Sequence, residues 1–425
     1  MANLSEIGRL LRGLRTIARP ERAAGLLQPL LRHAFANVPF YRSRFLEAGL
    51  READFRGEVP LKALPIISRE EVQAAERSEI VAAGFDADRL LEFETSGSSG
   101  KPLVVLRTVL EDRLLNAVRL RRYFGLGLRL HERRAAMVYS ELSARDAPEP
   151  KLRPVLGALG RSAIHYRESP RGVISQLLRI RPEFFQGYPG VLCEIGAHVT
   201  ESEREAMGVR MMACGGETLT AEARRRIESA FGARLYDCYG TNEFNLAASE
   251  CATTGLMHLQ SDSCAAEVIG GERVVEPGER GELVLTALHS YAMPFIRYRT
   301  GDQVVRGPDT CPCGAAVPTL ESLEGRTAEH FSDPQGNLIH PFEIEGKLTP
   351  YIAPILRYQI EQTSLESIEL RIVLSDDSAR ARVDPLRNEY GDYEARGVRV
   401  SVVYVDELRA EPGGKFKTFV PLRKS

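Results

Sequence analysis

TSGSSGKP, residues 95–102, places two glycines, four hydroxyl side chains and one lysine in eight positions. LLEFE (90–94) before it and LVVL (103–106) after it both read as strands, so the stretch joins a hairpin and does not open a helix. It is not a Walker loop. That motif needs Gly where this chain has Thr95 and a hydroxyl residue where it has Pro102. Gly97 and Gly100 allow consecutive backbone N–H groups to turn inward, Thr95, Ser96, Ser98 and Ser99 add donors, and Lys101 adds charge. Such a loop suits a polyphosphate; a plain hairpin turn is the other reading of these residues taken alone.

The rest of the chain sets the context. With 425 residues, 43% hydrophobic and 27% charged, a sizeable core and more than one domain are expected. Formal net charge is −2, from 56 basic and 58 acidic residues, which gives no bulk electrostatic case for nucleic acid or an anionic membrane as partner. Seven cysteines are an odd count, and no basic segment followed by a short apolar core stands near the start, so a reducing cytoplasmic setting is expected. Leu10, Leu11 and Leu14 alternate with Arg9, Arg12, Arg15 and Arg19 in a narrow-striped amphipathic helix interrupted near Pro20, which reads as a surface element. No apolar run approaches the ~20 residues of a transmembrane span.

Helical periodicity dominates residues 1–80, and strand and helix patterns alternate from about residue 88. IELRIVL (368–374) and VRVSVVYVDEL (398–408) read as strands around a helical stretch at 380–391. The segment before Gly325–Arg326 is turn-rich, with Pro308, Pro312, Gly314 and Pro318. The expected fold is mixed α/β: a large body over 1–325 and a small α+β domain over 326–425.

Beyond the loop, four stretches carry a pattern: NVPFYRSRFLEAGL (37–50) with LPIISREEV (64–72), DCYGTNE (237–243), GERGELVLTALHSYAMPFIRYRTGD (278–302) and EPGGKFKTFV (411–420). In order and spacing these resemble the acyl-adenylate-forming superfamily, in particular its phenylacetate-CoA ligase branch, where Lys-Pro directly follows the last glycine of the phosphate loop. The resemblance covers nearly the whole chain. It implies ATP-dependent conversion of a carboxylic acid to an acyl-adenylate with release of pyrophosphate, followed by transfer to a thiol, with coenzyme A the leading acceptor. The small domain would be a lid.

The site residues that the resemblance implies follow motif by motif. Thr95, Ser96, Gly97, Ser98, Ser99, Gly100 and Lys101 would restrain the β- and γ-phosphates of ATP. Gly215, Gly216 and Glu217, in MACGGETLT, match the wall beside adenine, although Glu217 also reads as a helix-start residue. Asp237, Tyr239, Gly240 and Asn242 belong to the tyrosine-glycine motif, whose Glu243 would help hold Mg²⁺, an ion that prefers oxygen ligands. Asp302 would take both ribose hydroxyls, for which a carboxylate has the acceptors. Arg326 falls at the start of the lid, and Lys415 would reach the α-phosphate, with Lys417 as the local alternative. Adenylation brings two anions together and expels a third, so cations and positioning carry the chemistry.

Two positions depart from the family pattern. Asn242 stands where Thr or Ser is usual and keeps a hydrogen-bonding side chain; Ala328 stands where the domain hinge is usually placed, in Thr327-Ala328-Glu329. The second departure keeps other acceptors in play: an amine, the thiol of a carrier protein, or a hydroxyl that is itself adenylylated. An inactive nucleotide-binding scaffold is the reading from a different class. Partners are then a small carboxylic acid and ATP, with a carrier protein and a homodimer as options, and neither nucleic acid nor membrane.

Cys251, His258, Cys311 and Cys313 form a four-ligand set from two loop-like stretches, ECATTGLMH and DTCPCGA. Tetrahedral Zn²⁺ accepts three cysteines and a histidine, although these spacings are not the common finger spacings. The branch it resembles carries a similar set, which implies structural Zn²⁺. Cys193, Cys214, Cys238 and Cys264 read as small buried hydrophobes. FFQGYPGVL (184–192) and MVYSELSARD (137–146) are candidate linings of the acid pocket, and Phe185 and Tyr188 read equally as core residues.

Overall fold

A computed structural model describes residues 24–94, 103–138, 160–165, 168–326, 331–336, 338–339, 341–351, 354–408 and 417–422. Its contacts divide the chain into two units, Met1–Gly127 with Cys238–Glu324, and Leu128–Asp237 with Gly325–Ser425. The elements are mixed α/β, as expected.

In the first unit, helices Ala24–Asn37 and Pro39–Glu47 bury Leu30, Leu31, Phe40, Tyr41 and Phe45. Pro39 is at the first position of its helix, where a missing N–H costs nothing. The Tyr41 hydroxyl donates to Pro294 O (3.0 Å) and accepts from Ile296 N–H (3.0 Å), anchoring these helices to the MPFIRY segment. Burial pushes this phenol well above its ordinary pKa.

Leu91–Glu94 and Val104–Arg107 pair antiparallel, with Leu91 opposite Arg107, which is the expected hairpin. Thr108 then caps helix Val109–Gly125 in a reciprocal box with Glu111, whose other oxygen takes the amides of Tyr291 and Ala292. Strands Cys264–Gly270, Arg280–Ala287 and Tyr298–Arg306 make an antiparallel run, and Met257–Leu259 pairs with both Ala248–Glu250 and Thr319–Leu320.

The second unit contains a parallel sheet. Arg134–Val138 pairs with Ser162–His165 and Phe184–Gly187, and the latter leads through Met211–Cys214 to Arg234–Asp237. All four side chains of Met211–Cys214 are buried, the continuous apolar run expected of a strand covered on both faces. Phe185, Leu192, Met212, Ile227 and Phe231 form its core.

Residues 331–419 hold a separate core, including Ile360, Leu370, Ile372, Tyr390 and Val402. Ile355–Ser364 and Ser367–Leu374 form a hairpin, with Arg399–Tyr404 and Phe419–Val420 added in parallel at its edges. Both sequence-expected strands are present, and 380–394 runs through short helical turns. Among the described residues no helix is long and apolar enough to cross a membrane.

Candidate functional site

Asp302 is positioned by an irregular strand pair. Between the pairs Glu282–Gln303 and Val284–Arg299, Leu283 alone is opposed by Thr300, Gly301 and Asp302. This bulge re-aims the strand, and Gly301 supplies the left-handed conformation it contains (φ 79°). Thr300 Oγ1 donates to Leu283 O (2.8 Å) and accepts the Asp302 N–H (3.1 Å), while Gly301 N–H donates to Glu282 Oε1 (3.2 Å). The backbone of the YRTGD stretch is thus fixed from within. The Tyr239 hydroxyl donates to Asp302 Oδ2 across 63 residues of sequence, and Asp302 is buried.

Glu243 lies within a tight turn in which Phe244 and Asn245 N–H groups both donate to Thr241 O. Gly240 is required by close approach: a Cβ there would lie 2.0 Å from Asn245 O. Gly240→Ala is therefore expected to destabilise the protein by at least about 1–3 kcal/mol, the usual cost of overpacking, and to lower its thermal midpoint. An unchanged midpoint in calorimetry would contradict this account of the turn.

The Glu243 carboxylate is 4% exposed, accepts from Tyr298 OH (3.2 Å) and lies 3.8 Å from Arg69 Nη1. Arg69 opens helix Arg69–Ala74, capped by Ser68 with Glu71. Motif reading missed Arg69 and Tyr298 as partners of Glu243. Nothing local marks Arg69, which looks like any charged residue after a helix cap.

In the second unit, Gly215 and Gly216 follow the strand Met211–Cys214, with Gly216 in the left-handed region (φ 79°), and Cys214 pairs with Asp237. Glu217 Oε2 accepts the Gly190 N–H (2.8 Å) in the first turn of helix Pro189–Gly196. It serves a helix start, but not that of the next helix in sequence, which Thr220 caps. Phe185 is fully buried in the parallel-sheet core, and Tyr188 packs partly buried beside it.

Thr95–Lys101, Ala328 and Lys415 lie outside the described residues, as do residues 139–146 of the second candidate lining. Arg326 ends the strand Thr319–Arg326. The Lys417 carbonyl accepts from Gln359 Nε2 (2.9 Å), just before the strand Phe419–Val420.

The structure brings together the ligand atoms of Cys251, His258, Cys311 and Cys313, all within 4.8 Å of one another. Cys251 Sγ and Cys311 Sγ are 3.9 Å apart, and Cys313 Sγ and His258 Nε2 are 3.6 Å apart. Tetrahedral Zn²⁺, with Zn–S of about 2.3 Å and Zn–N of about 2.0–2.1 Å, requires separations of about 3.8 and 3.6 Å. The residues fit the ion. Thr253 N–H lies 3.5 Å from Cys251 Sγ, and Thr254 Oγ1 lies 3.3 Å from Cys311 Sγ, so the sulfurs have hydrogen-bonding neighbours. Burial, then the charge of Arg122, lowers the pKa of His258, favouring the neutral imidazole that binds metal.

Of the other cysteines, Cys214, Cys238 and Cys264 are buried and Cys193 is half-buried. Burial raises the Cys264 thiol to about 12 and the Cys193 thiol to about 11, so both stay protonated.

No family model matches the sequence. The chain is 24% identical over 442 residues to the phenylacetate-coenzyme A ligase of Thermus thermophilus, covering 94% of this chain and 95% of that one. It is 26% identical over 379 residues to the enzyme of the same name from Escherichia coli, covering 82% and 80%. In fold it is similar to a 2-hydroxyisobutyryl-CoA ligase in its postadenylation state, with a TM-score of 0.77, 22% identity and coverage of 96% of this chain and 90% of that one. An anthranilate CoA ligase holding anthranoyl-AMP matches with a TM-score of 0.56, 16% identity and coverage of 79% and 67%. With sequence relatives along most of its length and a matching fold, the chain is similar throughout to phenylacetate-coenzyme A ligases and shares the fold of these acyl-CoA ligases.

Proposed function

We propose that this protein uses ATP to convert a carboxylic acid to an acyl-adenylate, releasing pyrophosphate, and passes the acyl group to the thiol of coenzyme A. The observation that carries this reading is the pairing of Tyr239 with Asp302 in the unit that also buries Glu243. Three residues of two motifs about sixty residues apart, Tyr239 and Glu243 of one and Asp302 of the other, are fixed there by internal hydrogen bonds before any ligand binds, as electrostatic catalysis requires.

In this account Asp302 takes the ribose hydroxyls beside Tyr239, and Gly240 and Asn242 shape the turn. Gly215, Gly216, Glu217 and Asp237 form the adenine side. The 95–101 loop restrains the β- and γ-phosphates. Glu243 offers its carboxylate to Mg²⁺, with Arg69 limiting the excess negative charge. Residues 326–425 act as a lid, with Arg326 at its start, that delivers Lys415 to the α-phosphate. The setting is cytoplasmic, where the seven cysteine thiols stay reduced.

The cysteine and histidine cluster is proposed to hold one structural Zn²⁺, because four protein ligands leave no position for a reacting water. It would tie the loop after Glu250 to the Cys311–Gly314 turn, whose Gly314 N–H donates to Cys311 O. Elemental analysis after desalting is expected to give about one zinc per chain. Cys311→Ser should lose the metal and lower the thermal midpoint; zinc-free protein from zinc-supplemented preparation would remove the metal from the account.

Incubating the protein with MgATP, coenzyme A and a panel of aryl, aliphatic and amino acids, with mass spectrometry of the products, tests the whole sequence. One acid should yield its CoA thioester and AMP in equal amounts. Acyl-adenylate accumulating with coenzyme A untouched would overturn the acceptor and direct attention to a carrier-protein thiol or an amine.

A further inference from the structure

Arg107 ends the strand Val104–Arg107 and is 3% exposed. Its Nη1 lies 3.4 Å from Asp112 Oδ1, and its guanidinium carbon lies 4.8 Å from the Phe93 ring centre. Nε and Nη2 are both buried, and neither has a hydrogen-bond partner among the described residues. These two nitrogens make one edge of the planar guanidinium, the fork that holds a carboxylate or phosphate by two parallel N–H···O bonds. A buried charged donor left unmade is among the more costly defects a fold can carry.

The acids around Arg107 are already engaged elsewhere. Glu111 accepts the amides of Thr108, Tyr291 and Ala292; Asp112 Oδ2 accepts Asn116 Nδ2 (2.8 Å); Glu243 is held by Tyr298 and Arg69. Burial draws the Arg107 pKa down, and the charges of Asp112, Glu111 and Glu243 oppose that and favour the cation. The polar chain continues from Asp112 through Asn116 to Asn245, whose Nδ2 donates to Asn116 Oδ1 (3.3 Å). Asn116 must present Oδ1 there, because its Nδ2 serves the Asp112 carboxylate. At the far end, Asn245 Oδ1 and Thr241 Oγ1 are again buried without partners among the described residues. Hydrogen-bonding capacity is therefore left open at both ends of a network that links the hairpin to the turn bearing Glu243.

We propose that the Nε/Nη2 edge of Arg107 receives an oxyanion of the nucleotide, a terminal phosphate of ATP or the pyrophosphate it becomes. The choice of oxyanion rests on the adenylation reading above. Two features favour phosphate over a second carboxylate on the acid: the strand of Arg107 is one side of the hairpin whose connecting sequence is TSGSSGKP, and Glu243, the proposed Mg²⁺ ligand, is close enough to act on its charge. Arg107 would then neutralise the leaving group, while Phe93 limits the movement of the guanidinium.

Isothermal calorimetry on the full chain with MgATP, Mg-pyrophosphate and AMP, for wild type, Arg107→Gln and Arg107→Lys, tests the assignment. Arg107→Gln should weaken ATP and pyrophosphate by roughly tenfold to a hundredfold and leave AMP within about twofold. Arg107→Lys, which keeps charge but not the fork, should fall between and is read the same way if the glutamine variant does not fold. Equal weakening of all three ligands, together with a lower ligand-free thermal midpoint, would make Arg107 a structural residue and end the proposal. Unchanged ATP and pyrophosphate binding with a raised KM for dicarboxylic acids alone would end it too, by assigning the edge to the acid. Failure of the wild type to exchange pyrophosphate with any acid would sink acid activation while leaving these binding results intact.

Discussion

Replacing Lys415 by alanine is expected to slow acid-dependent ATP–pyrophosphate exchange by about 10²–10³-fold, the scale of one electrostatic contact to charge developing in a transition state. Transfer of the acyl group from chemically prepared acyl-adenylate to coenzyme A should continue near the wild-type rate. The asymmetry follows from the proposed lid: one orientation would deliver the lysine to the α-phosphate, and another would withdraw it and admit the thiol. Lys417→Ala should change neither step, since the Gly-Lys pattern selects Lys415 for the α-phosphate. Stopped-flow measurement of each half-reaction separates these outcomes. Equal loss of both would contradict the moving lid, and Ala328, where the family's hinge is usual, would be the next residue to vary.

Asp302→Ala is the second large effect. The carboxylate is proposed to accept from two ribose hydroxyls, and hydrogen bonds to a charged group contribute about 1.5–3 kcal/mol each. Losing both should lower kcat/KM for ATP by about 10²–10⁴-fold. Stability should change far less, because Thr300 and Glu282 hold the local backbone whatever side chain stands at 302. Tyr239→Phe removes one donor to the same carboxylate and should cost roughly tenfold. A fall in thermal midpoint that accounts for the lost activity of Asp302→Ala would mean the residue closes a turn and does not read ribose.

Local pattern made part of this legible. LLEFE alternates, LVVL is a short apolar run, and the two flank a glycine-rich loop, which is enough to specify a hairpin; the antiparallel pairing of Leu91 with Arg107 bears that out. IELRIVL and VRVSVVY were equally plain. The metal-type cluster was readable as residue types, but the convergence of Cys251 and His258 with Cys311 and Cys313 depends on the pairing of His258 with Thr319, which no local signal encodes. Arg69 beside Glu243 and the open edge of Arg107 were illegible for the same reason: each is an ordinary arginine until distant segments pack around it. Glu217 shows the limit of local reading most clearly: beside its reading as part of the adenine wall it also reads as a helix-start residue, and the helix start it serves is at Pro189, earlier in the chain.

Isotopic ATP–pyrophosphate exchange across a panel of carboxylic acids, without any acceptor present, tests acid activation most directly. The account predicts exchange that depends on one class of acid, needs Mg²⁺, and falls by about 10²–10³-fold in Lys415→Ala. Tight ATP binding with no exchange for any acid would contradict it and leave a nucleotide-binding scaffold in its place.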